Sequence, residues 1–526
     1  MMNTPLKSST GFAARNPVAS STSTPAPIGG MNTREPEASM QPIFATVLEN
    51  FWPQERFVGI RGGAEDHRPV PGVVRQLCGW NGATGRELWA FTDAGAYNVT
   101  TAGAVAPALG QAFTNGDMVL TNYATSGGSF MVGVNGVDNY FHYRSPTWTS
   151  IATFNVTNGT PAETIATNKF SFVAAHQRAL FFIEKDSMNF YFLPVDSVSG
   201  DVRRFPLGGL FRSGGKLVAM GSWTFDGADG PDDMAVFITS EGQAAVYKGT
   251  DPNNASAWSL RGVFEIGQPL GKTPLRKLGG DLLVLTSYGL TSLTKLLKEG
   301  QTSSKTTLTD VIASYFQEVS QGVEASSDWR LIISPKLNLL MINVPGTAFR
   351  DRQQLAMNLV TGAWTVFKGW NSTCWELQNG QLYSGIGSKV ARMWTASGDF
   401  GQRIACYARC AWTYLSPRAR TKQVNLIRFI TRIGGQLNIS AGLDTDFRIS
   451  NIYYPLNLTS YPISRFDTAV WGTATWGALE AMQTDWLTVP SPEGFCVAPS
   501  LRVFSADATF QWSAIDMTYT VGSLVG

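Results

Sequence analysis

Side chains able to do acid-base or metal chemistry are few in this chain and poorly grouped. His67, His142 and His176 are its three histidines in 526 residues. His176, in FVAAHQRALFF, lies between apolar runs, where a structural role is expected. Glu65, Asp66 and His67 are contiguous, but Arg68 and Pro69 follow and predict a solvated turn. The stretch from Asp226 to Asp233 gathers four carboxylates around Gly and Pro. Such oxygens suit calcium, yet the spacing is not the Asp-x-Asp-x-Asp-Gly of an EF-hand, and a polar turn is the stronger reading. Cys406 and Cys410 fall on one face of a predicted strand, and without companion ligands they read as buried thiols. No catalytic triad, cofactor site or metal site is assembled, and no enzyme is expected.

Two aromatic features point to binding instead. Trp471-Gly472 and Trp476-Gly477 repeat within one short tract; aromatic anchors at that density often mark an interface or a sugar platform, against packing of the sandwich edge as the plainer reading. With the Phe51-Trp52 corner they form the candidate interface: Trp471, Trp476, Phe51 and Trp52. Ser397-Gly398-Asp399-Phe400-Gly401 matches the first half of the Asp-box found in sugar-cleaving propellers, but Gln402-Arg403-Ile404 replaces the Thr and Trp that should follow.

The elements that would hold these residues are strands. Charged residues make up 15% of the chain against 44% hydrophobic, with 53 Gly, 26 Pro and 16 Trp, a balance that suits many short strands joined by tight turns. Lys plus Arg number 41 against 39 Asp plus Glu, so there is no basic field to hold nucleic acid by bulk charge. Five scattered cysteines lack the density of a disulfide scaffold. Neither a signal peptide nor a membrane span is expected.

Met234 to Leu293 shows the pattern most clearly. Its hairpins open on strands apolar at successive positions, which need cover on both faces. Turns of this kind recur near Gly95, Gly136, Asp186, Gly242, Gly289, Lys336 and Gly380, about 41 to 56 residues apart. A propeller of about six to eight blades fits that period. Phe57 to Arg61 is expected to close it by pairing with the last blade near Val390 to Trp394. Thr307 to Val323 carries helical spacing, with Thr309 or Asp310 as cap.

After Gly401 the strands lengthen, predicting a C-terminal β-sandwich with a bulge near Ala514 in the last strand. Residues 1–27, rich in Ser, Thr and Pro, predict a disordered or extended N-terminal arm that docks on a partner. The expected division is therefore arm 1–27, propeller 28–400 and sandwich 401–526, an all-β chain.

Several phrases together resemble the tail nozzle proteins of short-tailed bacteriophages, also called tail tubular or stabilisation proteins. They are PIGGMNTREP, ENFWPQERFVGIRGG, ELWAFTDAGAYNV, the run from His176 to Gly200, the run from Ser222 to Pro252, AMNLVTGAWTVF and FDTAVWGTATWG. The resemblance implies a non-enzymatic virion protein, assembled in the bacterial host cytoplasm. It further implies a homo-oligomeric ring, a hexamer, below the portal-adaptor assembly and near tail fibres or needle, extending and gating the channel through which double-stranded DNA is ejected. A carbohydrate-binding or carbohydrate-active propeller of a tail receptor-binding apparatus is the alternative, since the fold serves both uses.

Overall fold

The computed structural model describes residues 19–522 except 84, 107–111, 160–162, 228–229, 300–306, 436, 457–480, 491 and 507. Among the described residues, seven antiparallel blades of three or four strands stand around one axis, and the first strand of each packs against the first strand of the next until the ring closes. These inner strands are Val74–Gly82, Val119–Thr125, Phe170–His176, Leu217–Gly227, Leu275–Leu278, Arg330–Ser334 and Cys374–Gln378. The chain is all-β, a β-propeller joined to a β-sandwich.

Burial explains the runs of successive apolar residues. Ala235, Val236, Phe237 and Ile238 in blade 4 are all sealed from solvent, because odd and even positions face different neighbouring blades. The seven turns read from the sequence fall one to a blade. The first five separate second and third strands, whereas Lys336 and Gly380 separate first and second strands.

Ring closure differs from the expectation by one segment. Val58–Ile60 pairs with Phe51–Pro53 and with Gln511 and Trp512 in the sandwich. The closing strand is Gly63–Pro69, paired antiparallel with Lys389–Ala396 of blade 7. Gly63 permits this: a Cβ there would lie 2.0 Å from the Gly398 carbonyl oxygen. The polar triplet Glu65, Asp66 and His67 is thus strand and not turn. His67 is buried, with Nε2 2.7 Å from the Val99 carbonyl.

The sandwich is assembled from both ends of the chain. One of its sheets contains Ile404–Cys410, Val497–Ser505 and Leu437–Thr445, and continues through Phe44–Glu49 and Gly30–Met31 into Trp364–Phe367 of blade 6. The other pairs Lys422–Gly434 with Thr509–Val521 and adds Ala19–Pro25, Phe51–Pro53 and Val58–Ile60. Residues 30–60, read as the start of the propeller, therefore belong mainly to sandwich sheets, and the propeller is inserted between the two parts of the sandwich. Strands this short carry no signal of which sheet they join.

Of the expected arm, residues 1–18 lie outside the described residues; Ala19–Pro25 is extended, as expected, and pairs with Ala514–Thr520 of its own chain. Main-chain bonds hold this strand, in which alternate residues Ser20, Thr22 and Thr24 are half-buried. In the last strand, the register shift falls at Ser513, one residue from the expected place. It brings Phe510, Trp512, Ile515, Met517 and Tyr519 all into the core. Asp310–Ile312 is a 3-10 turn leading into the helix Ala313–Ser320, without the expected side-chain cap. The Thr309 hydroxyl instead accepts the Leu290 amide at 3.2 Å. A second helix, Leu293–Glu299, was not expected from sequence.

Candidate functional site

The joint between propeller and sandwich holds a connected polar network. Asn50 stands at its centre with φ 59°, turning the chain from Phe44–Glu49 into Phe51–Pro53. Its Nδ2 donates to the Ala405 carbonyl at 2.8 Å. Its Oδ1 accepts from the Lys368 amide at 2.8 Å and from Arg61 Nε at 2.9 Å.

Arg61 extends the network. Its Nη1 donates to Asp399 Oδ1 at 2.9 Å and to the Gly62 carbonyl at 3.0 Å. Its Nη2 donates to Asp399 Oδ2 at 2.6 Å and to the Lys368 carbonyl at 2.9 Å. All five guanidinium N–H groups are thereby engaged. The Trp370 ring lies 3.9 Å from the guanidinium carbon, and its Nε1 donates to Asp399 Oδ1 at 2.8 Å. Asp399, the carboxylate of the partial Asp-box, is therefore half of a buried, bidentate ion pair.

Phe51 and Trp52 also lie in this joint. Phe51 packs on Phe510 and Trp512 of the sandwich, and Trp52 on Phe367 and Trp394 of the propeller. Both are buried, so the interface they form is internal, contrary to the expectation of a surface contact. Trp471 and Trp476 lie outside the described residues.

Beside the joint a cavity of about 640 Å³ opens between strand Phe44–Glu49, helix Ala313–Ser320 and blade 6. Glu49, Tyr315, Arg350, Arg352 and Gln353 line it, and Lys368 closes the far wall in an ion pair with Glu49. Burial, only partly offset by the Gln353 hydrogen bond, pushes the Tyr315 hydroxyl up to about 12.

A second polar group spans the propeller axis. Asp117, ahead of the blade 2 inner strand, accepts from Arg330 Nη2 at 3.0 Å, and its carbonyl accepts from Lys272 Nζ at 2.5 Å. Blade 2 is thus tied to blades 5 and 6. On the inner strand of blade 7, burial raises the Glu376 carboxyl to about 7, against the opposing charge of Arg276 and the Gly79 amide.

The remaining candidates separate. His176 bonds Ser222 Oγ at 2.9 Å through Nδ1, with Gly249 O 3.3 Å from Nε2, an arrangement of packing. Burial pushes the Cys406 and Cys410 thiols up to about 12. In the Asp226–Asp233 hairpin, Ala228 and Asp229 lie outside the described residues, and Asp233 Oδ2 accepts from Gln177 at 2.8 Å. Among the described residues no group of His, Cys, Asp and Glu is arranged to hold a metal ion.

Sequence reasoning missed Asn50, Arg61 and the axial charges. Arg61 had one local signal, a lone arginine between an apolar strand and a glycine pair. Asp117 and Arg330 had none, being 213 residues apart.

No family model matches the chain, and no curated protein matches it. Among solved structures it is similar to BBS1N in complex with ARL6DN, at 8% identity and TM-score 0.39, over 64% of this chain and 97% of that one. It is also similar to Sqt1 of Saccharomyces cerevisiae, at 12% identity and TM-score 0.38, over 66% of this chain and 96% of that one.

Proposed function

We propose that this chain is a structural subunit of a short-tailed phage tail nozzle, forming a hexameric ring that extends and gates the DNA ejection channel below portal and adaptor. The observation that carries the reading is the ten-stranded sheet running from blade 6 through residues 30–49 into the sandwich. A ring subunit that resists the load of packaged DNA needs its lobes at a fixed angle, and a continuous sheet with a buried ion pair beside it supplies that stiffness. The near-balance of 41 basic and 39 acidic residues also suits a conduit, since a sliding duplex should meet few tight phosphate contacts. The family phrases, spread from residue 27 to the C-terminal domain, add the resemblance.

The carbohydrate reading leaned on Asp399 and the Trp tract. Asp399 already spends its carboxylate on Arg61 and Trp370. Electron-microscopy class averages of the purified protein test the proposal: a six-fold ring with an open lumen is expected. Particles that stay monomeric at every concentration, together with saturable cleavage of a host glycan, would replace it with the carbohydrate reading.

A further inference from the structure

Among the described residues the most exposed large apolar side chain is Phe349, open to solvent on every side at 101%. It stands on the loop between the second and third strands of blade 6, Leu339–Val344 and Gln353–Asn358. The loop is tied at both ends. Thr347 N donates to the Arg350 carbonyl at 2.7 Å and Phe349 N to Thr347 Oγ1 at 3.2 Å. Arg350 Nη2 donates to the Val319 carbonyl at 2.5 Å and Arg352 Nη2 to Asp328 Oδ2 at 2.5 Å. A phenylalanine presented on a fixed loop loses little freedom on contact, and aromatic side chains are enriched where interfaces are most buried.

A hole that suits it lies elsewhere on the same chain. About 560 Å³ opens between blades 3 and 4, floored by Phe181 and Phe192, whose rings stack at 5.6 Å, with Pro194 and Val195 exposed at its mouth. Knob and hole occupy opposite faces of the propeller. Strands alternate in direction along each blade, so the Phe349 loop lies on the face where the inner strands begin, the face on which Asp117, Lys272 and Arg330 meet. Loops joining first to second and third to fourth strands, around Gln177, Val195 and Thr250, build the hole on the other face. One copy therefore cannot fill its own hole.

The charges match in sign. The loop carries two arginines against one aspartate, Arg350 and Arg352 with Asp351, whereas the hole is lined by two aspartates against one arginine, Asp201 and Asp251 with Arg203. Most of these are engaged at home. Both loop arginines are tied as above, Asp201 Oδ1 accepts from Asn155 Nδ2 at 3.1 Å, and Asp251 Oδ1 accepts from the Asn253 amide at 2.9 Å. Asp351 beside the knob and Arg203 beside the hole are exposed and enter no ion pair among the described residues.

We propose that Phe349 of one copy seats between blades 3 and 4 of the next, with Asp351 paired to Arg203 of that next copy. A contact between two different faces of a chain is heterologous, and repeated with a rotation that closes it makes a ring. The proposal rests on the ring reading above and names the contact that builds the ring.

Mass photometry of the full chain over a concentration series tests it. Wild type is expected to assemble, and Phe349→Ala to need about tenfold or more protein to do so, with an unchanged Tm because the side chain is fully exposed in the subunit. Asp351→Arg and Arg203→Asp should each weaken assembly, and both in one chain should restore it, since the pair re-forms with its charges exchanged. Phe349→Ala assembling as wild type does, or a double variant no better than either single one, would overturn the contact and leave the ring reading standing. Assemblies of other than six copies that still depend on Phe349 would keep the contact and remove the six-fold ring. A wild type that stays monomeric at every concentration would remove both.

Discussion

Arg61 has every N–H engaged while its side chain is sealed from solvent, and its partner Asp399 is 14% exposed. Replacing Asp399 with Ala would leave a buried guanidinium uncompensated, at a cost of about 3–5 kcal/mol. Urea unfolding of Asp399→Ala should show that loss as a lower midpoint with an unchanged slope. A loss below about 1 kcal/mol would mean that water replaces the carboxylate and that the pair does not lock the joint. Glu376 makes the opposite kind of prediction. Its carboxyl is raised by burial from 4.5 to about 7, so the folded state holds the proton more tightly than the unfolded chain. The contribution is fully present below pH 4.5 and is lost as pH rises through about 7. Glu376→Gln, which stays neutral, should therefore gain Tm relative to wild type on going from pH 5 to pH 8. Parallel Tm profiles over that interval would refute the assignment.

At the scale of elements, the last strand depends on one residue. Phe510 and Trp512 stand in one phase of the alternation, and Ile515, Met517 and Tyr519 in the other, yet all five are buried because Ser513 is extra in the ladder. Deleting Ser513 restores a regular strand and turns one of these sets toward solvent. Exposing either set forfeits about 1.5–3 kcal/mol for each large apolar side chain, so the deletion should leave the chain insoluble or without a cooperative melt. A soluble variant melting within a few degrees of wild type would show that the strand can slip without penalty. The closing strand is specified differently, by the missing side chain at Gly63, and so by sterics more than by hydrophobicity.

The two lobes of the molecule share one hydrophobic cluster at their seam. The cluster that fills the sandwich runs on through Trp364, Leu355, Ile342 and the helix residue Phe316 into blade 6. Lobes sharing a sheet and a core cannot unfold separately without exposing that seam. Calorimetry on the subunit should accordingly show one endotherm. Two well-separated endotherms, or a stable folded fragment of 63–396 after limited proteolysis, would show that the lobes are independent.

What the residues alone determine follows from the range of each interaction. Strand alternation, glycine turns and the phase change in the final strand are local, so the all-β class, the propeller period and the bulge could be read from neighbouring residues. Successive burial in Met234 to Leu293 even told that both sheet faces are covered. Partner choice is not local. Whether Val58–Ile60 or Gly63–Pro69 closes the ring depends on a ladder with residues 320 or more positions away. The polar triplet at Glu65 read as a turn because its alternation is masked by charges that a paired edge strand tolerates. Phe51 and Trp52 look alike from sequence whether they face a partner or an internal seam. The joint itself, Asn50 with Arg61 and Asp399, and the cavity beside it, exist only once both ends of the chain meet. Their chemistry was settled by tertiary structure, because a hydrogen bond between residues 338 positions apart leaves no trace in the residues around either one.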